Sequence, residues 1–313
     1  MTTPGNPLSL PDLGGRTIVV TGANSGLGLE TTRALAARGA TVVLACRNLD
    51  KASTAMAQLH EVVPHAALEA LELDLASLDS VARFAIELGD RHPQVDVLCN
   101  NAGVMALPLQ KTVDGFERQF GTNHLGHFAL TGRLLPLLLA APAGRVVTVS
   151  SLRHQRSPLK CDELANERRY RKWDAYGKSK LANLLFAFEL QRRLAARRLP
   201  LISLAAHPGY AATNLPFVGP RITGSVLSAA IMTIGNTLFA QSATHGAWPE
   251  IYACAAPEVV GGALYGPRGP FELWGRPRRV KLSRGASDLA SAQELWDLSV
   301  RATGVEFAEL ASR

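Results

Sequence analysis

The chain has 313 residues, of which 47% are hydrophobic and 19% are charged. These proportions are close to the globular average, which excludes a disordered or collagen-like chain, and the length is sufficient for an enzyme-sized core. The net charge of +7 is spread along the chain rather than clustered. No nucleic-acid recognition motif accompanies the basic stretches, so we expect a solvated basic surface and no nucleic-acid partner.

Cys46, Cys99, Cys161 and Cys254 lie far apart and form no CxxC pair. This spacing argues against a zinc ribbon or a disulfide framework and favours a reducing compartment, so we predict a cytoplasmic location. No histidine has HExxH spacing, and we expect no metal site. Residues 1–14 lack the basic region and apolar core of a signal peptide. We interpret them as a flexible tail that precedes a single domain at residues 15–313.

The predicted elements alternate between strands and helices. Strands are predicted at Thr17–Thr21, Ala40–Cys46, Ala67–Leu73, Val95–Asn100, Arg145–Ser150 and Leu201–Ala206. Helices are predicted from a glycine turn to Arg38 and at Leu49–Val62, Ser77–Arg91, Asp114–Ala140 and Asp174–Arg198. Strands separated by helices of this length pair in parallel, and nearly continuous apolar runs indicate strands covered on both faces. The predicted fold class is α/β, a single-domain doubly wound parallel sheet.

The pattern weakens after residue 208, where Gly262–Tyr265 is predicted as a last strand and Asp288–Arg301 as a last helix. Residues 211–245 are interpreted as a small substrate lid near the C-terminus. Within them, Ile222–Thr244 has no charged residue and its leucines and isoleucines form one apolar stripe. We therefore favour, in this order, an amphipathic helix that covers a pocket, interfacial membrane attachment and a membrane span. Peripheral membrane contact is not expected.

A glycine turn follows the first predicted strand and opens the first helix. Its glycines have the spacing Gly22-x3-Gly26-x-Gly28. Glycines at such a turn allow the backbone to approach a pyrophosphate, which is held by the free N–H groups of the helix N-terminus. The sequence therefore predicts a dinucleotide site at this turn. The residues assigned to it are Gly22, Asn24, Ser25, Gly26, Leu27 and Gly28.

The end of the second predicted strand indicates which dinucleotide is preferred. A carboxylate there would accept the ribose 2′-hydroxyl of NAD, whereas an arginine suits a 2′-phosphate. Arg47 follows this strand, 19 residues after Gly28, and no carboxylate occupies the strand end. We therefore predict NADP (NADPH) as the cofactor, with NAD less favoured; the alternative is that Arg47 is a surface arginine.

Two further strand ends carry polar residues that we assign to the cofactor cleft. Asp74, followed by Leu75, could accept a hydrogen bond from an adenine amino group or cap the next helix. The sequence leaves these two roles open. After the fourth strand, Asn101, Ala102 and Gly103 could stabilise the turn or line the cleft, and we favour a mixed role.

Tyr176 and Lys180 are four residues apart, so both lie on one face of the predicted helix. A phenol has an ordinary pKa of about 10 and is a poor acid–base group at neutral pH. A nearby ammonium favours the phenolate, so we expect Lys180 to lower the pKa of Tyr176. Ser151, at the end of the fifth strand, could donate a hydrogen bond to a substrate carbonyl.

These motifs together resemble the short-chain dehydrogenase/reductases. TGANSGLG, NNAG, the segment Asn123-His124-Leu125-Gly126-His127, VSS and YGKSK occur in the family's order over roughly Gly15–Gly209. The resemblance implies a Rossmann fold, with Tyr176 as proton donor or acceptor and Ser151 positioning the substrate oxygen. It implies that Lys180 holds the nicotinamide ribose.

The same resemblance implies roles for residues that spacing alone does not single out. Asn123 would anchor a water in a proton relay, although a polar residue kinking its helix is compatible with that position. Pro208, Gly209 and Thr213 would lie against the nicotinamide carboxamide.

Two features depart from the family's commonest pattern. Ser151 and Tyr176 are 25 residues apart, which is longer than usual, and the extra segment Arg153–Trp173 is interpreted as a surface excursion. This insertion is similar to the retinol dehydrogenase-like and WW-domain oxidoreductase-like branch. The neighbouring Ser150 could compete with Ser151, whose register the family favours.

The expected activity is hydride transfer between nicotinamide and a carbonyl or alcohol. Apolar residues near the C-terminus favour a hydrophobic substrate: a lipid-like aldehyde or ketone, a retinoid or a steroid. Trp248, Phe271 and Trp274 could line its pocket or belong to the core. The alternatives are a cofactor-binding sensor or scaffold without turnover and a protochlorophyllide reductase-like C=C reductase. The family's usual helix contacts would make a homodimer or homotetramer.

Overall fold

The computed structural model describes residues 8–159, 170–210 and 242–310. The strands are β1 (Thr17–Thr21), β2 (Thr41–Cys46), β3 (Ala67–Glu72), β4 (Val97–Asn100), β5 (Arg145–Val149), β6 (Ile202–Ala206), β7 (Leu264–Pro267) and β8 (Pro277–Val280). The helices are α1 (Gly26–Ala36), α2 (Leu49–Val62), α3 (Leu78–Arg91), α4 (Arg118–Phe120), α5 (Gly126–Ala140), α6 (Lys172–Ala196), α7 (Ala243–Gly246), α8 (Trp248–Ala255) and α9 (Leu289–Thr303).

The eight strands of the described residues belong to one sheet, in the spatial order β3-β2-β1-β4-β5-β6-β7-β8. Strands β1 to β7 pair in parallel, and β8 pairs antiparallel with β7. The chain builds outward from β1 in one direction and then, from β4 onward, in the other. This topology confirms the predicted doubly wound sheet and leaves a crevice at the carboxyl ends of β1 and β4.

The side chains of each central strand alternate between two hydrophobic layers. Ile18 and Val20 of β1 pack into the layer that contains α1, α2 and α8, whereas Val19 packs into the layer that contains α3, α5 and α6. Both layers exclude water, so successive residues of the strand are all apolar. This two-sided burial explains the continuous Val, Leu and Ala runs in the sequence.

The predicted helix Asp114–Ala140 begins later than expected and is not continuous. The Glu117 carboxylate accepts hydrogen bonds from the N–H groups of Gln119 and Phe120, which caps α4 at its first turn. Between α4 and α5 the backbone forms a π-helical turn, Gly121–Leu125, closed by a bond from Gly126 N–H to the Gly121 carbonyl. Such turns are frequent at functional sites.

The C-terminal part contains elements that the sequence pattern did not reveal. The predicted last strand, Gly262–Tyr265, corresponds to β7 but starts two residues later, and β8 follows it as an antiparallel edge strand. Helices α7 and α8 were not predicted. The predicted helix Asp288–Arg301 corresponds to α9, whose N-cap Asp288 accepts bonds from Ala290 N–H and Ser291 N–H.

The interpretation of residues 1–14 as a flexible tail is wrong for the part that the structure describes. Leu8, Leu10 and Leu13 are buried in the hydrophobic layer beside α1. The Arg38 guanidinium donates to the Leu10 and Pro11 carbonyls. Burying three leucines against the sheet offsets the entropy lost in ordering this segment.

Thr213 and most of the predicted lid, including most of Ile222–Thr244, lie outside the described residues. Residues 242–246, at the end of that region, form α7 and its N-cap Ser242. Over residues 8–159, 170–210 and 242–310, no helix has both the length and the apolar character needed to cross a membrane.

Candidate active site

A cleft of about 930 Å³ opens at the carboxyl ends of the parallel strands. The predicted site residues that line it are Gly22, Asn24, Ser25, Gly26, Leu27, Gly28, Arg47, Asp74, Leu75, Asn101, Ala102, Gly103, Ser151, Tyr176, Lys180, Pro208 and Gly209. The loops after β1 to β6 therefore meet in one cavity, as expected for a doubly wound sheet. Asn123 lies behind the cleft wall rather than in it.

The glycine turn leaves the N-terminus of α1 open to the cleft. Gly22 and Gly26 have positive φ angles of 67° and 57°, which a residue with a Cβ rarely adopts. A Cβ at Gly28 would lie 2.5 Å from the Asn101 side-chain nitrogen. Ser25, the N-cap, makes no side-chain cap bond, and the first turn contains no acidic residue. The free N–H groups and the helix dipole therefore fit a pyrophosphate.

A hydrogen-bond network joins the end of β1 to the turn after β4. The Thr21 hydroxyl accepts bonds from Asn101 N–H (3.0 Å) and Ala102 N–H (2.9 Å). The Asn101 side chain donates to the Thr21 carbonyl at 2.7 Å. Asn101 thus stabilises the turn and also lines the cleft, which is the mixed role expected from the sequence.

The network continues through His127 to the π-helical turn. His127 Nδ1 lies 2.9 Å from the Asn123 carbonyl, and Nε2 lies 2.9 Å from the Thr21 hydroxyl. A carbonyl can only accept, so Nδ1 carries the proton and Nε2 accepts from Thr21. Burial and the charge of Lys180 lower the pKa of His127 to about 4, against a smaller opposing contribution from the Asn123 bond. His127 is therefore a neutral connector, a role that its place in the NHLGH motif does not indicate.

The side chains that follow β2 and β3 differ in their freedom. Arg47 is exposed, and no acidic residue pairs with it among the described residues. The Asp74 carboxylate accepts a bond from Ala76 N–H at 2.9 Å, whereas Ser77 caps α3. Asp74 therefore does not cap that helix. Of the two roles left open, the hydrogen bond to an adenine amino group stays a prediction.

Tyr176, Lys180 and Ser151 lie on the same side of the cleft. The Ser151 side chain interacts with the Tyr176 hydroxyl and lowers the pKa of Tyr176 in part. Lys180 Nζ donates to the Val149 carbonyl at 3.0 Å, which ties the ammonium to the end of β5. Ser150 donates its hydroxyl to the Lys180 carbonyl at 2.8 Å. Ser150 is thereby engaged with α6, and Ser151 is the serine that meets the tyrosine.

The pKa of Tyr176 differs from the expectation. Burial raises the pKa of Tyr176 to about 12, although the hydrogen bond with Ser151 lowers it in part. Burial also lowers the pKa of Lys180 to about 8, with a smaller opposing effect from Glu250. The expectation that Lys180 lowers the tyrosine pKa is therefore wrong for this chain by itself, because burial removes the phenolate from water and the opposing effect comes from Ser151.

Asn123 has both ends of its side-chain amide engaged. Its Oδ1 accepts from Val104 N–H at 2.7 Å, and its Nδ2 donates to the Val104 carbonyl and to the Ser179 hydroxyl, both at 2.9 Å. The Ser179 hydroxyl in turn donates to the Tyr176 carbonyl at 2.8 Å. Asn123 thus ties the cleft wall to the turn of α6 that carries the tyrosine. Its implied role in holding a water stays a prediction.

The turn after β6 is held in place by a second buried histidine. His207 Nδ1 accepts from Gly209 N–H at 3.2 Å, and Nε2 donates to the Glu272 carboxylate at 3.0 Å. This bond holds the pKa of Glu272 below its ordinary value. Gly209 has a φ of 69°, and a Cβ there would meet the Leu273 carbonyl. Pro208 and Gly209 therefore present a rigid backbone to the cleft.

Glu250 is a buried carboxyl that the sequence analysis did not single out. Glu250 of α8 accepts a hydrogen bond from the Cys99 thiol at 3.0 Å. Burial raises the pKa of Glu250 to about 7 and raises that of Cys99 well above its ordinary value. No spacing motif relates these residues, because α8 reaches the sheet only in the folded chain.

The part of the cleft beyond Tyr176 includes aromatic and basic side chains. Of the three aromatic residues expected to line the pocket or to belong to the core, Phe271 lines the cleft, Trp248 packs against the core beside α1, and Trp274 lies outside the lining. Trp173 and Arg153 line the cleft although they belong to the predicted surface excursion. Within the described parts of the chain, no group of three His, Cys, Asp or Glu side chains could hold a metal ion.

Comparisons with known proteins give a consistent result. A model of the short chain dehydrogenase family matches residues 16–216. Retinol dehydrogenase 14 of Homo sapiens is 39% identical over 298 residues, which cover 91% of this chain and 85% of that protein. Polyprenol dehydrogenase of Mus musculus is also 39% identical, over 304 residues that cover 95% of this chain and 87% of that protein. The crystal structure of an uncharacterized protein from Mycobacterium paratuberculosis superposes with a TM-score of 0.78 at 46% identity, covering 96% of this chain and 97% of the other.

Proposed function

Because this chain belongs to the short-chain dehydrogenase/reductase family, we propose that it interconverts a hydrophobic carbonyl compound and its alcohol with NADP(H). As a member of that family it is an NAD(P)-dependent oxidoreductase that acts on CH–OH and C=O groups. The observation that carries the proposal is the meeting of Ser151, Tyr176 and Lys180 in one cleft with the open N-terminus of α1.

Three side chains perform the proposed chemistry. The Tyr176 hydroxyl donates a proton to the carbonyl oxygen in reduction and receives it in oxidation. The Ser151 hydroxyl, which interacts with Tyr176, holds that oxygen and stabilises negative charge as it develops. The Lys180 ammonium, which donates to the Val149 carbonyl, would hold the nicotinamide ribose of the bound cofactor.

Other residues of the cleft suit a nicotinamide dinucleotide. The free N–H groups at the start of α1 would hold its pyrophosphate, and Pro208 and Gly209 would lie beside its nicotinamide. When bound, the cofactor supplies the hydride for reduction or accepts it in oxidation. Arg47 supports NADP(H) over NAD(H), because a guanidinium binds a 2′-phosphate through charge-assisted bonds.

Apolar side chains support a hydrophobic substrate. Leu152, Tyr210, Phe271 and Leu273 line the cleft beyond Tyr176. Two relatives with 39% identity carry the names retinol dehydrogenase and polyprenol dehydrogenase, and both names refer to apolar alcohols. We accordingly propose a lipid-like aldehyde or ketone, a retinoid or a steroid.

The first test is turnover by the tyrosine variant. Tyr176→Phe removes the proton donor and keeps the ring, so we expect NADPH oxidation with an aldehyde and ketone panel to fall about 10²–10⁴-fold. NADPH affinity, measured by fluorescence titration, is expected to stay close to wild type. Tyr252→Phe is the matched control, because Tyr252 lies on α8, donates its hydroxyl to Glu258 and does not line the cleft. Wild-type protein that binds NADPH but reduces no member of the panel would instead support a sensor.

A further inference from the structure

Two arginines that no motif explains line the cleft directly after Ser151. They are Arg153 and Arg156, in the short 3₁₀ turn Leu152–Arg156. Neither forms an ion pair with a carboxylate in the described parts of the chain. The backbone N–H of Arg153 donates to the Ser151 hydroxyl at 3.3 Å, so this turn begins at the reacting centre.

The Arg153 guanidinium is held in a defined place. Its central carbon lies 5.8 Å from the centroid of the Trp173 ring, and that ring packs edge-on against Tyr176 with centroids 6.5 Å apart. The Nε atom of Arg153 is buried and has no hydrogen-bond partner. A buried donor without a partner is costly, whereas stacking on a tryptophan leaves the N–H groups at the guanidinium edge available for an acceptor.

The charges around the cleft show which part of a ligand the arginines would meet. The described lining contains four cations, Arg47, Arg153, Arg156 and Lys180, against the single carboxylate of Asp74. Under the proposed function, Arg47 meets the dinucleotide, and Lys180 is bonded to the Val149 carbonyl. Arg153 and Arg156 remain, on the same side as Ser151 and next to the apolar wall of Phe271 and Leu273.

We propose that the substrate is amphipathic: an apolar carbonyl compound that carries an oxyanion, a carboxylate or a phosphate, bound by Arg153 and Arg156. This inference rests on the proposed function and narrows its substrate class. A guanidinium binds a carboxylate or a phosphate through two parallel N–H bonds. Because Arg153 lies two residues after Ser151, the oxyanion that it binds is separate from the reacting carbonyl. The apolar wall then accommodates the chain that joins the two groups.

The test compares matched pairs of substrates with NADPH. The probes are ω-oxo carboxylic acids of increasing chain length, their methyl esters, and the corresponding ω-oxo alkyl phosphates. We expect wild type to prefer one of the anionic series over the esters by at least about tenfold in kcat/KM, equivalent to about 1.4 kcal/mol. Whichever anionic series shows the larger ratio identifies the oxyanion.

Arg153→Met and Arg156→Met remove the charge and keep much of the side-chain volume. Each is expected to reduce the ratio of anionic to ester kcat/KM, and the double variant to bring it close to one. Arg301→Met, at an exposed position on α9, should retain the wild-type ratio. If the Arg153 variant does not fold, the wild-type ratio should still decline with added salt, because salt screens the charge of the arginines.

Two results would overturn the inference, and they are distinguishable. Equal turnover of esters and anions by wild type, or a preference that survives the double variant, contradicts the oxyanion site and leaves the proposed function standing. Absence of turnover with every probe, together with none on the broader aldehyde and ketone panel, contradicts both.

Discussion

Ser150 and Ser151, at the end of β5, have different roles although they are neighbours in the sequence. Side chains of successive strand residues point to opposite sides, so Ser150 bonds the Lys180 carbonyl while Ser151 meets Tyr176. The two residues have the same chemistry and differ only in direction. Both partners belong to α6, so the roles depend on which hydroxyl is directed at the helix backbone and which at the tyrosine side chain.

Arg47 carries the prediction about cofactor preference. Arg47→Gln removes the charge that would bind the 2′-phosphate. A hydrogen bond to a charged group contributes about 1.5–3 kcal/mol, so kcat/KM for NADPH should fall at least about tenfold, while the value for NADH changes little. Steady-state kinetics with both dinucleotides measure the ratio.

Arg301→Gln is the control for this substitution, because Arg301 is exposed on α9, away from the cleft lining. It should leave the preference for NADPH as in wild type. Equal losses with NADPH and NADH in the Arg47 variant, or a wild-type preference for NADH, would contradict binding of a 2′-phosphate.

Among the elements, the start of α5 is restricted by how closely it approaches the turn after β3. A Cβ placed on Gly126 would meet the Leu75 carbonyl and lie 3.0 Å from the Leu75 Cβ. Leu75 also lines the cleft. The glycine in the NHLGH motif therefore allows a helix to lie against the backbone of the cofactor loop, and the π-helical turn before it brings Asn123 to Val104.

The same substitution in two helices should have opposite effects. Gly126→Ala forces backbone to move, and overpacking of this kind costs about 1–3 kcal/mol. In α3, a Cβ at Gly89 meets only Leu137 Cδ1, at 3.9 Å. Gly89→Ala should therefore raise the free energy of unfolding by about 0.5–1 kcal/mol, because alanine has the higher helix propensity.

Urea denaturation of the two variants and wild type measures both effects. Gly89→Ala serves as the matched control for the helix propensity that Gly126→Ala also gains. A Gly126→Ala protein as stable as wild type would show that the contact with Leu75 relaxes without cost.

For the whole molecule, two buried histidines connect the stability of the fold to pH. His124 is surrounded by Phe120, Phe128 and Phe186 and bonds the Ser299 hydroxyl of α9 at 2.8 Å. Burial, with a smaller contribution from the charge of His127, lowers the pKa of His124 to about 3. Both imidazoles are therefore held neutral within the packed core.

Acidification should destabilise the protein for this reason. In the unfolded chain a histidine takes up a proton below pH of about 6.5, whereas in the folded chain His124 and His127 stay neutral until near pH 3 and 4. The unfolded state binds more protons in this window, so the free energy of unfolding decreases as pH falls through it. Each imidazole contributes up to about 1.4 kcal/mol per pH unit, and neither contributes above the window.

Urea denaturation at a series of pH values from about 7 to about 4.5 measures how the free energy of unfolding changes with pH. His124→Phe removes one titrating group and should give a shallower slope even if its absolute stability changes. His65→Gln, at an exposed position, is the control and should retain the wild-type slope. An unchanged slope in His124→Phe would contradict the assignment.

The expected homodimer or homotetramer stays a prediction, as does the cytoplasmic location. No large hydrophobic side chain of α5 or α6 is highly exposed. Instead, Phe186 of α6 packs against Trp296 of α9 and Phe307, with ring centroids 6.1 Å and 6.4 Å apart. Light scattering in solution determines whether an assembly through α5 and α6 forms.

The sequence by itself determined the order of elements from β1 to β6 and the positions of the glycine turn, Ser151, Tyr176 and Lys180. These features depend on local pattern: apolar runs, glycines at turns and side chains one helical turn apart. The same local information placed Arg47 at a strand end.

Only the tertiary structure decided what depends on contacts between distant segments. Burial reversed the expected direction of the tyrosine pKa, Leu8–Leu13 packed against the sheet, and Glu250 came to lie against Cys99. The 3₁₀ turn after Ser151 brought Arg153 into the cleft beside Trp173, 20 residues along the chain. Desolvation and the pairing of remote side chains arise only when the chain is folded, so no local pattern in the sequence records them.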